Sequence, residues 1–248
     1  MTSAKLARHS LGARVLHALD ALVIMVLLAS GLALGELLGE QIVALFGGHL
    51  LVNATHQLLG LAFVIAWVLL VLAMPDRVHG LLRDTVYFRR RELRWPLDFL
   101  RFSLWPRRFA PPFHDGRFDP AQRVIFIGTI VALALMGVSG VYLYLAPPLG
   151  RMMLAYAIRI HIATAWVLIG CLCIHAVAGS GLLRTHRGLT TAMFGDGRVA
   201  VALARTLWPG WSRRQASIEL AALPAAAAHA EKASPSVAST AKRVGEGD

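Results

Sequence analysis

RIHIATAWVLIGCLCIH, residues 159–175, is the stretch that decides the fold. It lies within an apolar run over about 153–181 whose only charged residue is Arg159. A helix needs roughly 20 residues to cross a hydrocarbon core of about 30 Å, and this run exceeds that. Its two histidines, His161 and His175, are fourteen residues apart. At about 100° per residue they return to within roughly 40° of one face, and at 1.5 Å per residue they stand about 21 Å apart along the axis. One helix therefore carries an imidazole towards each membrane surface.

Three more runs of this kind precede it, at about 15–38, 50–74 and 124–146. The whole 248-residue chain is 56% hydrophobic, and its mean hydropathy is +0.59, outside the range of soluble domains. Charged residues, 16% of the total, collect in the first fourteen residues, in 75–123, in 151–159 and after Leu183. Only helices and closed barrels satisfy every backbone group in lipid. The sequence thus predicts an all-α bundle of four transmembrane helices over 1–190, an interfacial segment over 191–214 and a disordered tail over 215–248. The first run starts like a secretory signal, but its apolar core continues from Ala21 to Leu34, past the usual ~7–15 residues, and it reads as a retained helix. Gly31 and Gly35 have the small-xxx-small spacing of a helix–helix contact.

A net charge of +11 raises the question of nucleic acid, and the distribution answers it. Lys5, Arg8 and Arg14 precede the first helix. The connection 36–52 has no Lys or Arg and carries Glu36 and Glu40, whereas 75–123 holds eleven arginines. The third connection has only Arg151 and Arg159, and nine basic residues follow Leu183. Rich and poor segments alternate, which is the positive-inside pattern. Both termini and the middle loop are expected in the cytoplasm, with attraction to anionic lipid headgroups and no nucleic-acid partner.

Loop 75–123 interleaves arginines with Tyr87, Phe88, Trp95, Phe99, Phe102, Trp105 and Phe109, a composition suited to the membrane interface. Residues 198–211 read as a short interfacial helix ended by Pro209 and Gly210. Cys171 and Cys173 project in nearly opposite directions on one helix, cannot bridge each other, and read as small apolar fillers.

Four histidines fall inside the apolar runs: His17, His56, His161 and His175. Ionisable groups at membrane depth are costly and mark function. Helix one leaves the cytoplasm, so His17 near its start is an inner residue. Helix two returns, so His56 near its start is outer. Helix four runs the same way as helix two, placing His161 outside and His175 inside. The four sort into an outer pair, His56 with His161, and an inner pair, His17 with His175. Two imidazoles at one depth in an apolar bundle suit the axial positions of a porphyrin iron. With both axial sites filled, the expected task is electron transfer. No Cys-x-x-Cys-His motif is present, so two haems would be of the noncovalent b type. Two depths cannot share one tetrahedral zinc. A haem-free scaffold or transporter would use the same histidines for helix contacts.

Arg14-x-x-His17, His56-x-x-x-Gly60 and the His161/His175 pair resemble the bacterial dihaem cytochrome b561 superfamily, which anchors respiratory formate dehydrogenases and nickel–iron hydrogenases. The loop Gly116-Arg-Phe-Asp-Pro-Ala-Gln-Arg123, followed by Val-Ile-Phe, is similar to the formate dehydrogenase gamma subunit, the cytochrome b556 subunit. The resemblance covers roughly residues 8–211. It implies a bacterial inner-membrane protein that takes electrons from an iron–sulfur subunit of a catalytic complex, passes them through two b haems and delivers them to quinone. It places the quinone near His175, Asp119 and Gln122, and it implies no formate-oxidising site of its own. Related subunits of hydrogenases and thiosulfate reductases, and free-standing cytochromes b561, share the fold, although the last usually have a shorter middle loop. Two positions depart from the family: Ala18 stands where Trp is usual, and Asp119 where Asn is usual. Asp119 either carries quinone protons or caps helix three, where Asp before Pro120 is a standard start signal. Asp20, one turn from His17, either orients that imidazole or sits among the headgroups.

Overall fold

The computed structural model describes residues 4–92, 94–145 and 150–218. Four long helices carry the bundle: α1 (Leu11–Leu34), α3 (His49–Ala73), α6 (Pro120–Leu145) and α7 (Arg151–Gly179), each long and apolar enough to cross a membrane. Between α1 and α3 lies α2 (Glu40–Leu45), a short helix in the first connection. Observed spans begin up to four residues earlier than the apolar runs, because the cap chemistry sits outside them. Ser10 caps α1, its hydroxyl accepting the Ala13 N–H at 3.3 Å. Asp119 caps α6, accepting the Gln122 N–H at 2.7 Å. At the other end α1 stops at Leu34 rather than 38. Gly35 returns its N–H to the Gly31 carbonyl at 3.0 Å, and Glu36 follows at φ +58°, a left-handed turn that no helix continues through.

α6 and α7 share the longest interface, α1 packs on α3, and α3 meets α6, so two helical hairpins join side by side. Buried positions within the spans are mostly small: Ser30 and Ala33 on α1, Ala132 and Ser139 on α6, Ala157 and Thr164 on α7. Small residues let helix backbones approach where lipid supplies no hydrophobic drive. Large apolar side chains such as Leu58, Leu69, Leu72, Ile162 and Val167 face outward, the reverse of a soluble core. The fold is an all-α, four-helix membrane bundle.

The middle loop is largely helical: α4 (Pro75–Val86), a 3₁₀ turn at Arg90–Glu92 and α5 (Trp95–Leu104). After α7 come a 3₁₀ turn (Arg184–His186), α8 (Thr190–Phe194), β2 (Arg198–Ala200) and α9 (Val201–Leu207). β2 pairs antiparallel with the N-terminal strand β1 (Lys5–Ala7), Leu6 opposite Val199. Gly197, at φ +78°, makes the approach possible: its carbonyl accepts the N–H groups of Arg8 and His9, and a Cβ there would fall 2.5 Å from the His9 oxygen. Leu6, Ala192, Val199, Ala204, Leu207 and Trp208 close into a small core with Phe99 of α5 against it. This cap covers the end of the bundle that carries the N-terminus, hereafter the N-terminal face.

The cap corrects two sequence expectations. Residues 198–211 are not one helix: 198–200 are strand, drawn into pairing by β1. Pro209 stands between two helices: α9 stops at Leu207 just before it, and another helix starts at it, since 209–218 are helical and proline is favoured in a first turn. Of the tail expected to be disordered, 215–218 belong to that helix, and 219–248 lie outside the described residues.

Candidate functional site: two imidazole pairs

The bundle brings the four sequence-predicted histidines together in the expected pairs. His17 of α1 and His175 of α7 have ring centroids 5.9 Å apart, near the N-terminal face. His56 of α3 and His161 of α7 stand 6.1 Å apart, near the far face. A metal held between two imidazoles at about 2 Å from each nitrogen sets ring centroids about 6 Å apart, so both pairs have the spacing of axial ligands on one iron. Among the described residues no three of His, Cys, Asp and Glu gather as a metal site.

The far-face pair has serine contacts that suit one tautomer. Ser30 on α1 lies 2.9 Å from the His56 Nδ1, and Ser139 on α6 lies 3.0 Å from the His161 Nδ1. Each serine hydroxyl is also within bonding distance of a helix carbonyl, Leu27 at 3.1 Å and Leu135 at 2.6 Å. A serine that donates to its carbonyl accepts from the ring, an arrangement in which Nδ1 is the N–H and Nε2 keeps a lone pair for a metal. Behind each ring sits a glycine. A Cβ on Gly31 would come within 3.1 Å of the His56 Cε1, and one on Gly140 within 3.3 Å of the His161 Cε1. The same Ser-Gly step thus serves both hairpins, on α1 for the histidine of α3 and on α6 for that of α7. The sequence reading missed Ser30 and Ser139. Their signal was the repeat itself, a Ser-Gly dipeptide in the first and third spans. Gly31 proves to clear space for an imidazole, and Gly35 ends the helix, so the two glycines do not form the helix-contact pair their spacing suggested.

The other pair is braced differently. Arg14 donates from Nε to the Met193 carbonyl at 3.0 Å and from Nη2 to the Gly195 carbonyl, tying the start of α1 to the end of α8. Phe194, between those carbonyls, sets its ring edge-on to His17 at 6.1 Å. Asp20 makes no hydrogen bond to His17 among the described residues; it faces the Trp67 indole of α3. Cys171 packs towards Gly128 of α6, as a filler would, whereas Cys173 is exposed.

Asp119 shows the cap contact, and its surroundings add something a cap alone would not need. Arg8, His114 and Arg123 all act on its carboxyl, yet burial pushes that carboxyl above the usual range. Arg8 lies between Trp208 and Trp211, 3.9 and 4.4 Å from the ring centroids, and burial brings its guanidinium down to about 9. His114 is 1% exposed, with Nε2 2.8 Å from the Leu207 carbonyl and Nδ1 without a hydrogen-bond partner among the described residues. Arg123 and Glu92 form an ion pair at 2.9 Å with side chains only 4% and 6% exposed. Burial alone would raise the Glu92 carboxyl, but bonds from the Arg89 N–H and Arg123 hold it low. No hydrogen bond joins His175 to Asp119 or Gln122 among the described residues.

Paired imidazoles on facing helices at two depths of a membrane bundle define a membrane cytochrome of the b type. The family profile of prokaryotic cytochrome b561 matches residues 8–196, and the chain belongs to that family. Comparison with curated proteins found no match. Family members bind haem b, so the chain is a membrane electron-transfer cytochrome.

Proposed function

We propose that this chain is the membrane-anchor cytochrome b subunit of a respiratory formate dehydrogenase. It would hold one b haem between His56 and His161 and a second between His17 and His175. Haem there supplies one-electron redox chemistry on each side of the hydrocarbon core. The observation that carries the reading is the pair of imidazole gaps, 6.1 and 5.9 Å between centroids, at opposite ends of α7. The arginine distribution favours a cytoplasmic N-terminal face. An iron–sulfur subunit would then dock on the far face, and quinone would take two electrons and two protons near His175, Asp119 and Gln122. The assignment to formate rests on the Gly116–Arg123 loop. Oxidation of formate itself belongs to the partner's catalytic subunit.

Pyridine haemochrome analysis of the purified chain should give two b haems. His56→Ala or His161→Ala should remove the far-face haem and spare the other, with the converse for His17 and His175. A clean stoichiometry of one sinks the double site. Co-purification from the native membrane then decides the partner, since a hydrogenase or thiosulfate reductase in its place moves the chain to that complex.

A further inference from the structure

A cleft of about 410 Å³ opens at the N-terminal face between α4 and the loop that leads into α6, with Arg83, Tyr87, Arg89, Asp115, Arg117 and Arg214 among its walls. We propose that it binds the phosphate of an anionic phospholipid. Five guanidinium groups line it against three carboxylates, those of Asp84, Glu92 and Asp115. Arg123 is committed to Glu92 at 2.9 Å and Arg89 to Asp115 at 3.1 Å, while Arg214 donates to the Asp115 carbonyl at 2.7 Å. Arg83 and Arg117 have no acidic partner among the described residues. Arg117 instead adds like-charge repulsion to buried Arg8 and to His9, which an anion in the cleft would relieve. Guanidinium groups match phosphate oxygens two at a time, and basic pockets beside membrane helices are suited to phospholipid headgroups.

The lipid is indicated by the helix that carries the cleft. α4 starts at Pro75, straight after α3 ends at Ala73, so it leaves the bundle at headgroup depth. Leu82 and Val86, four apart, are 39% and 59% exposed and form an apolar stripe. Arg83 and Tyr87, also four apart, form the next stripe round and line the cleft. An acyl chain along the first stripe leaves its phosphate at the second. A free phosphate would use only the second.

The test uses haem-loaded protein, stripped of phospholipid in neutral detergent, with thermal unfolding followed by tryptophan fluorescence. Added phosphatidylglycerol should raise Tm by about 5 °C, and phosphatidylcholine should not. Arg83→Gln with Arg117→Gln should abolish most of the gain. Arg107→Gln with Arg108→Gln, exposed on the same face outside the cleft, should keep it. Inorganic phosphate matching phosphatidylglycerol would retain the phosphate site but make its occupant a soluble anion. No gain from either phosphate, an equal gain from phosphatidylcholine, or a gain that survives the Arg83/Arg117 change overturns the proposal.

Discussion

Ser30→Ala and Ser139→Ala isolate one contact each. Each removes the serine acceptor beside a histidine Nδ1, leaves only the Leu27 or Met136 carbonyl to bond the ring, and keeps the ring, the glycine behind it and the helix in place. A hydrogen-bonded Nδ1–H makes the imidazole more basic and favours ferric over ferrous iron. Its loss should raise the midpoint potential of the far-face haem. A net hydrogen bond of about 0.5–1.5 kcal/mol, wholly differential between the two oxidation states, converts to about 20–65 mV per serine at 59 mV per tenfold for one electron. The two serines act on opposite ligands of one pair, so their shifts should add to about 40–130 mV. Potentiometric titration of the reduced b bands reads this directly, because the His17/His175 pair has no such serine contact among the described residues and serves as an internal reference. Two midpoints unchanged to within about 10 mV in the double variant would refute the tautomer assignment. A shift confined to the other component would refute the pairing.

Three further expectations follow from the N-terminal face. Reporter fusions after Arg94 and after Glu40 should fall in opposite compartments, with Arg94 cytoplasmic; the same compartment for both contradicts the charge-based topology. Asp119→Ala should slow quinone reduction at least tenfold while both haems still accept electrons, and Asp119→Asn, which keeps an acceptor for the Gln122 N–H, should be milder; wild-type turnover in the alanine variant reduces Asp119 to a helix cap. In the cap, burial lowers His9 to about 4 and also lowers His114 and His186. A histidine kept neutral in the folded state stabilises it above its unfolded value of about 6.5 and loses that stability as pH falls towards the folded value. Hydrogen-exchange protection factors in 184–214, with the intrinsic fall of the exchange rate divided out, should therefore drop between about pH 6.5 and 4, and protection constant across that window would exclude the effect.

The bundle was legible because membrane crossing writes a long signal. Twenty-odd apolar residues in a row admit one reading, and the alternation of arginine-rich and arginine-poor connections orders them. The histidine pairs were legible because depth follows from position along a span of known direction. The cap was not. β1 and β2 are three residues each, too short for a period-two pattern, and their partners are some 190 positions apart. Pro209 was half legible: α9 stops before it, but proline marks a helix start as readily as a stop, and the helix that follows it carries no signal of its own. Ser30 and Ser139 were hidden by their ordinariness, since small residues in membrane helices usually mean close packing. Their role appears only when the facing helix supplies an imidazole.

The β1–β2 clasp also sets an order of events during synthesis. Lys5 leaves the ribosome long before its partner Ala200, and at about 5–20 residues per second the delay is about 10–40 s. Throughout that interval the start of α1 has no strand to pair with, and Arg14 has no α8 carbonyls to grip. His56 and the Ser30–Gly31 step already face each other once the first hairpin is inserted. The imidazole gap at the far face can thus be half assembled early, whereas the one at the N-terminal face waits for α8 and β2.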